Sequence, residues 1–415
     1  MSLAVRGARL DGETVGLRCV DGRITAIGPE VEAAPGDETI DAAGAPLVAP
    51  LLNGHTHAAM TLFRGSGGDL PLMPWLREKI WPVEAKLDAD DVYWGARLAC
   101  AEMIRSGTTR FWDMYWRPEA TARAVDDAGL SAAIGAPLFD HDGDAAGMRE
   151  RALRSLDHLA GLGPAITPAL APHSIYTVSE RSLRWIAELA DERGLPLQIH
   201  LAETEHEVAE CLADHGLRPA AYLDSLGVLG ERTVLAHGVW LDREELELIA
   251  ARGCTVVANP AANMKLAVGG VFPYPAARAA GVAIGLGTDG AGSNDSLDLL
   301  AELKLFALSQ KHAAADPTAI TAAAAWAIAT GARAPLLGAG KVLSVGAAAD
   351  FLLLRPDSPE LGIGELTSNL VYAATGAAVD TTVVAGRVLM REGKVPDLTE
   401  IVARARERAH RLGLY

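Results

Sequence analysis

Short apolar runs alternate with longer amphipathic stretches through the middle of the chain. Leu47–Asn53, Thr109–Met114, Ser131–Leu138, Ala165–Pro172, Pro196–Leu201, Thr233–His237, Cys254–Asn259 and Val282–Thr288 read as eight buried strands. Helical patterns separate them. Ala89–Ser106 has Asp88 as a fitting N-cap and Gly107 just past its end. Glu180–Arg193, Arg243–Ala251, Tyr274–Ala280 and Ser296–His312 read the same way. This alternation predicts an α/β fold, a parallel (β/α)8 TIM barrel. A doubly wound open sheet is the alternative, but no G-x-G-x-x-G follows any strand.

The two ends read as β structure instead. Leu3–Leu10, Gly16–Val20 and Arg23–Ile27 are strand-like, with Asp21-Gly22 as a hairpin turn. Near the other end Asp350–Leu354 and Thr381–Val388 match, with Ala385-Gly386 as a kink or turn. These patches could pair into one small sheet domain. The division expected is residues 1–49 and 345–396 for the small domain and 50–344 for the barrel. A closing amphipathic helix, about Leu398–Leu412, falls within 397–415.

Composition narrows the class. The 415 residues are half hydrophobic, enough for one large core and a smaller one. The net charge is -16 and no Lys/Arg block occurs, which argues against nucleic-acid or anionic-membrane partners. Cys19, Cys100, Cys211 and Cys254 lie far apart and form no C-x-x-C, as suits a reducing compartment. Neither a signal-peptide pattern nor an apolar run of membrane-spanning length is present, so the setting expected is cytoplasmic. Assembly with further copies of the chain stays open.

Chemistry gathers where the strands end. His55 and His57 follow the first run at i and i+2, so both imidazoles can face one side of an extended segment. His173 ends the fourth strand, His200 the fifth and His237 the sixth; Asp289 follows the eighth. Barrel active sites are built at these ends. The other histidines, His141, His158, His206, His215, His312 and His410, fall in helices or loops and read as solvated. His55, His57, His200 and Asp289 offer three nitrogens and a carboxylate, a set suited to Zn2+ or Fe2+ with one position left for water. Glu203, three residues past His200, would sit beside such an ion and carry a proton. His237 could hold the water or polarise developing charge.

His55-Thr56-His57, His200-Leu201-Ala202-Glu203, Leu235-Ala236-His237 and Gly287-Thr288-Asp289-Gly290 resemble the motifs of the amidohydrolase superfamily. More narrowly the chain resembles the 5′-methylthioadenosine/S-adenosylhomocysteine deaminase family. The likeness extends through His57-Ala58-Ala59-Met60-Thr61-Leu62-Phe63-Arg64-Gly65 and Asn259-Pro260-Ala261-Ala262-Asn263-Met264-Lys265-Leu266. It implies a barrel with a small β-sandwich made from both chain ends. It implies one divalent metal, most simply Zn2+ with Fe2+ or Mn2+ as alternatives, on His55, His57, His200 and Asp289. Binuclear relatives place a lysine after strand four, where this chain has Ala171-Pro172-His173.

The resemblance also implies a reaction. A small amino-heterocycle, an adenosine-type nucleoside, would lose its 6-amino group as ammonia. Glu203, His237 and Asp289 would move protons, and Trp75, Glu84 and His173 would contact substrate. Trp81, Trp94, Trp112 and Trp116 crowd the same part of the chain, and the sequence does not say which of them face the pocket. Relatives that use S-adenosylhomocysteine hold its carboxylate with arginines after strand three. This chain has Gly135-Ala136-Pro137-Leu138 there and Met148 at the second place, with Arg149 and Arg151 close by. A small or uncharged 5′ group is therefore expected. Deamination of guanine, a pterin or cytosine, s-triazine dechlorination, and a non-catalytic scaffold are the competing readings.

Overall fold

The computed structural model describes residues 2–66, 68–140, 143–338 and 340–414; His141 lies outside the described residues. Its centre is one parallel sheet of eight strands in sequence order. They are Leu51–Thr56, Thr108–Met114, Ser131–Leu138, Ile166–Pro172, Leu197–Leu201, Thr233–His237, Thr255–Ala258 and Ala283–Leu286. Helices follow on the outside, among them Ala89–Ser106, Glu180–Arg193 and Arg243–Ala251, which match the predicted bounds. Asp88 caps the first of these with a reciprocal bond to Asp91, and Gly107 ends it in the left-handed region at φ 87°.

The first predicted strand is wrong in one respect. Leu47–Asn53 is two strands, cut at Ala49-Pro50. Leu47 and Val48 pair antiparallel with Leu353 and Leu352 outside the barrel, and the barrel strand begins only at Leu51. Proline has no N–H for a ladder and a fixed φ, so it marks the step from one sheet to the next.

First and last barrel strands meet at a seam closed by side chains. Thr288 N–H donates to Asn53 Oδ1 (3.1 Å), Asn53 Nδ2 donates to Thr288 Oγ1 (2.7 Å), and Asp289 N–H donates to the His55 carbonyl (3.1 Å). Apolar side chains fill the barrel interior below the site. Leu52, Trp112, Val234, Val257, Ala334 and Leu337 pack there, all buried. Ionisable groups at the mouth therefore rest on an apolar plug, where charge interacts strongly and costs more to bury.

The chain ends form two four-stranded sheets, the small β-sandwich expected of them. Ser2–Leu10, Glu13–Val20, Arg23–Gly28 and Glu38–Asp41 make the first; Leu47–Val48, Phe351–Leu354, Val379–Val384 and Arg387–Met390 make the second. They share a core of Leu3, Val5, Leu17, Phe351, Leu353 and Val383, which makes them a sandwich. Both turns expected from the sequence have two residues at positive φ, Asp21 (47°) with Gly22 (77°) and Ala385 (47°) with Gly386 (74°), as does Asp11 (50°) with Gly12 (86°). Two-residue hairpins require that geometry.

One further piece positions the site. After the first barrel strand the chain runs over the mouth as Ala58–Phe63 and then as helical turns from Leu72 to Glu84. Trp75, Leu76 and Ile80 pack into a cluster that includes Phe63, Ala405 and Leu412. The C-terminal helix, Leu398–Arg411, thus backs this covering segment. Arg411 binds buried Asp91 and donates to the Lys86 carbonyl (3.3 Å).

Candidate metal centre and active site

Four imidazoles and one carboxylate converge at the C-terminal mouth. Ring centroids of His55 lie 4.9 Å from those of His57 and His200 and 5.7 Å from that of His237. Candidate ligand atoms of His55, His200, His237 and Asp289 all lie within 4.8 Å of one another. His57 joins them with Nε2 3.1 Å from Asp289 Oδ1. This tight group contains His237 in addition to the histidines expected as ligands, so spacing alone does not single out three of the four.

The outward nitrogens explain why the rings point inward. His57 Nδ1 donates to the Met114 carbonyl, and His200 Nδ1 donates to the His173 carbonyl (2.7 Å). A carbonyl only accepts, so in both rings Nδ1 carries a proton and Nε2 is the nitrogen turned to the site; in His200 it offers a lone pair, and in His57 it faces Asp289 Oδ1. His55 Nδ1 bonds Gln198 Oε1 (3.2 Å), whose amide is oriented by Nε2 donating to the Asp113 carbonyl (2.8 Å). His237 Nδ1 bonds Asn263 Oδ1 (2.8 Å). Each ring is thereby fixed in tautomer and direction, as metal-binding histidines are.

Asp289 is held in the same way. Ser293 Oγ donates to Oδ2 (2.6 Å), which leaves Oδ1 toward the rings. Among the described residues, His55 Nε2 and Asp289 Oδ1 are buried with no hydrogen-bond partner. Their separation of 3.5 Å is too long for a good bond. Buried polar atoms rarely go unsatisfied. Lone pairs aimed at one point beside a carboxylate fit a divalent cation.

Burial sorts the charges. It lowers His55 to about 4 and His173 to about 3, and holds His200 and His237 below their usual range. Burial would also lower His57, but the Asp289 carboxylate 3.1 Å away and the Met114 carbonyl outweigh it and raise His57 to about 9. Burial opposes ionisation of Asp289 too, yet the His55 and His57 rings hold it well below the carboxylate range. Glu203 goes the other way: burial, with the Asp289 charge adding, pushes it up to about 8. Within one site, burial thus disfavours the charged form of Glu203 while the neighbouring rings favour that of Asp289. Two carboxyl groups pushed apart in this way mark acid and base roles.

The cavity over these groups measures about 680 Å3 including its open mouth. Trp75, Trp81, Glu84, Trp116, His173 and Glu203 all line it. Glu84 accepts from Trp116 Nε1 (3.1 Å). Phe139 stacks between Trp116 and His173, with centroids 4.9 and 4.6 Å away. Of the tryptophans the sequence left unsorted, Trp112 lies in the barrel plug and Trp94 lies under Arg404 outside. Trp75 and Glu84 are nine residues apart. A straight α-helix of 3.6 residues per turn would set them on opposite faces. The π-helical turn Leu76–Ile80 between them shifts the phase, and both line one cavity.

The described histidines expected to be solvated are exposed: His158, His206, His215, His312 and His410. Sequence reasoning missed Gln198, Asn263 and Ser293, which orient the converging groups. Gln198 carried a readable signal, being polar in an apolar strand and two residues before His200. Asn263 sits in the short helix Pro260–Lys265 and Ser293 in a turn after the last strand, and no hydropathy pattern marked either.

The amidohydrolase family model matches residues 47–389. A 5′-deoxyadenosine deaminase of Methanoregula boonei is 48% identical over 380 residues, covering 90% of this chain and 86% of that protein. A 5-methylthioadenosine/S-adenosylhomocysteine deaminase of Syntrophobacter fumaroxidans is 41% identical over 418 residues, covering 98% and 95%. Among solved structures, an adenosine deaminase of Xanthomonas campestris with bound zinc superposes with a TM-score of 0.93 at 34% identity, over 100% of this chain and 98% of that one. With its eight-stranded barrel, its histidine–aspartate mouth and this match along most of its length, the chain belongs to the amidohydrolase family.

Proposed function

We propose that this enzyme hydrolyses the 6-amino group of an adenosine-type nucleoside, giving the inosine-type product and ammonia. The observation that carries the reading is the convergence of four oriented imidazoles and Asp289 at one cavity mouth, with His55 Nε2 and Asp289 Oδ1 buried and unpartnered and Glu203 lining the same cavity. Residues 50–344 would form the catalytic unit, residues 1–49 and 345–396 the small sandwich, and 397–415 the closing helix.

His55, His57, His200 and Asp289 would hold one divalent cation, Zn2+ in the first instance. When bound, such a cation brings the pKa of water near neutrality and so supplies a nucleophile at pH 7. The remaining work falls to the chain. Glu203 delivers its proton to ring nitrogen N1, which makes C6 electrophilic, and regains one from the C6 hydroxyl as the carbonyl of the product forms. Asp289 accepts the proton of the attacking water and passes it to the departing amine. His237, fixed by Asn263, donates to or polarises the oxygen that adds to C6. Glu84 receives the ribose hydroxyls, and Trp75 covers the sugar. His173, neutral at pH 7, contacts the nucleoside from the side.

The wall after the third barrel strand supports a preference for a neutral 5′ group. Pro137 and Phe139 form it, with Met148 behind. Arg149 turns away, over the Trp185 ring at 4.9 Å, and Arg151 pairs with Asp144 at 3.0 Å. Adenosine, 5′-deoxyadenosine and 5′-methylthioadenosine should be turned over better than S-adenosylhomocysteine. The test is a panel of these four with guanine, a pterin, cytosine and a chloro-s-triazine, scored by ammonia or chloride release. Ammonia from the nucleosides supports the reading. Chloride alone, or no product from a metal-loaded sample, defeats it. A tenfold preference for S-adenosylhomocysteine, about 1.4 kcal/mol of transition-state binding, would mean that a cation supplies the missing clamp.

A further inference from the structure

Ala202 lies between His200 and Glu203 and has φ 49°, a left-handed conformation that an L-residue resists. The group that holds it there is Glu207. This side chain is buried, at 4% exposure. Its Oε1 accepts from the Ala202 N–H (2.8 Å) and its Oε2 from the Glu203 N–H (2.9 Å). From the opposite side the Ala202 carbonyl accepts from the Trp240 N–H (2.8 Å). Glu207 itself is fixed, because Thr204 caps the Glu205–His215 helix and its Oγ1 accepts from the Glu207 N–H (3.1 Å).

This departs from an ordinary helix start. In a capping box the glutamate at the third helical position returns to the N–H of the capping residue. Here it reaches past Thr204 to the two residues before it. Successive N–H groups converge on one anion when a left-handed residue stands among them, which is what Ala202 provides. Glu207 is not among the residues that line the catalytic cavity.

We infer that Glu207 is a positioning residue: its carboxyl group, one oxygen on each N–H, clamps the Ala202–Glu203 backbone and so aims the Glu203 carboxyl at the base. The inference rests on the acid role proposed above for Glu203. Glutamine in this place keeps the shape but sets an NH2 against one of the two N–H donors. A small misplacement of an acid–base group is enough to slow chemistry by about 10²-fold.

The experiment is a double-mutant cycle on the metal-loaded enzyme, read by kcat, KM, metal content and the crystal structure of each variant. Glu207→Gln should lower kcat by about 30–100-fold with KM and metal nearly unchanged. Added to Glu203→Gln, the same change should cost less than about threefold, because the group it aims is already gone. In the crystal, Ala202 should leave the left-handed region. Equal losses in both backgrounds, or loss of metal, would reduce Glu207 to a structural cap and overturn the inference. So would an undisturbed Ala202–Glu203 backbone with normal turnover. If Glu207→Gln does not fold, Glu207→Asp keeps the charge, shortens the reach and serves in the same cycle. A wild type that turns over no adenine nucleoside would fault the proposed function instead. The clamp would then stand or fall on the Glu207→Gln crystal structure, where an unmoved backbone overturns it.

Discussion

The strand ends and the segment that covers them both supply pocket residues, but they hold them by different means. At the strand ends the four rings and Asp289 each have a second atom tied to a fixed partner: Gln198, Met114, His173 and Asn263 for the rings and Ser293 for Asp289. Over the mouth, Trp75 and Glu84 ride on short helical turns whose anchor is apolar packing against Phe63 and the C-terminal helix. Hydrogen bonds fix direction, whereas packing fixes position but leaves rotation softer. Groups that hold a cation or move a proton need the first kind of support, and groups that cover a ligand can use the second.

That contrast predicts losses of different size and kind. His57→Ala, or treatment with a chelator, should abolish turnover and empty the site of metal, with Zn2+, Fe2+ or Mn2+ restoring the chelated wild type. Metal analysis beside an ammonia assay checks it, and full activity in a metal-free sample would break the assignment. Glu203→Gln should keep the metal and lower kcat by about 10²-fold or more, as for loss of a positioned acid–base. Normal turnover in that variant would move the proton transfer to another group.

Changes in the covering segment should act on binding instead. Glu84→Ala should raise KM for nucleosides by about 10-fold or more and leave free adenine far less affected, since only the nucleoside loses a charged hydrogen bond. Equal effects on adenosine and adenine would remove the ribose role. Arg411→Ala loosens the backing helix. Because Arg411 is half exposed, its loss should cost about 1 kcal/mol. A small drop in Tm and a severalfold rise in KM at constant kcat would fit the soft-support picture. A fall in kcat would contradict it.

The weakest test concerns pH. Glu302 is buried behind the strand ends, accepts from Asn294 Nδ2 (2.6 Å) and the Ala261 N–H (3.1 Å), and is pushed up to about 8 by burial. Its folded pKa lies above its unfolded one, so the stability it lends is full below pH 4–5 and is lost as pH rises through 8. The slope cannot exceed about 1.4 kcal/mol per pH unit for one proton. Tm measured between pH 5 and 8.5 should fall more steeply in the wild type than in Glu302→Gln, and parallel curves would reject the assignment.

The same contrast separates what could be read in advance from what could not. His55, His57, His200 and His237 were legible because each ends an apolar run, and strand ends of a parallel barrel share one face. The hairpins at Asp21-Gly22 and Ala385-Gly386 were legible because the turn chemistry is local. The break at Ala49-Pro50 was missed, since an apolar run does not show which of two sheets it joins.

Taken alone, the order of residues determined the barrel, a small β domain at the chain ends and the type of chemistry at the strand ends. Those features follow from periodicity and composition within a few residues, where backbone geometry leaves few choices. Only the tertiary structure decided which nitrogen of each ring faces inward, that Trp75 and Glu84 share a cavity across a π-turn, and that Glu207 grips the backbone of Glu203. These depend on partners far along the chain, such as Met114 for His57, or on a helix phase that no local pattern records. Burial is likewise a property of the packed molecule, so the opposed shifts of Glu203 and Asp289 exist only once the barrel has closed around them.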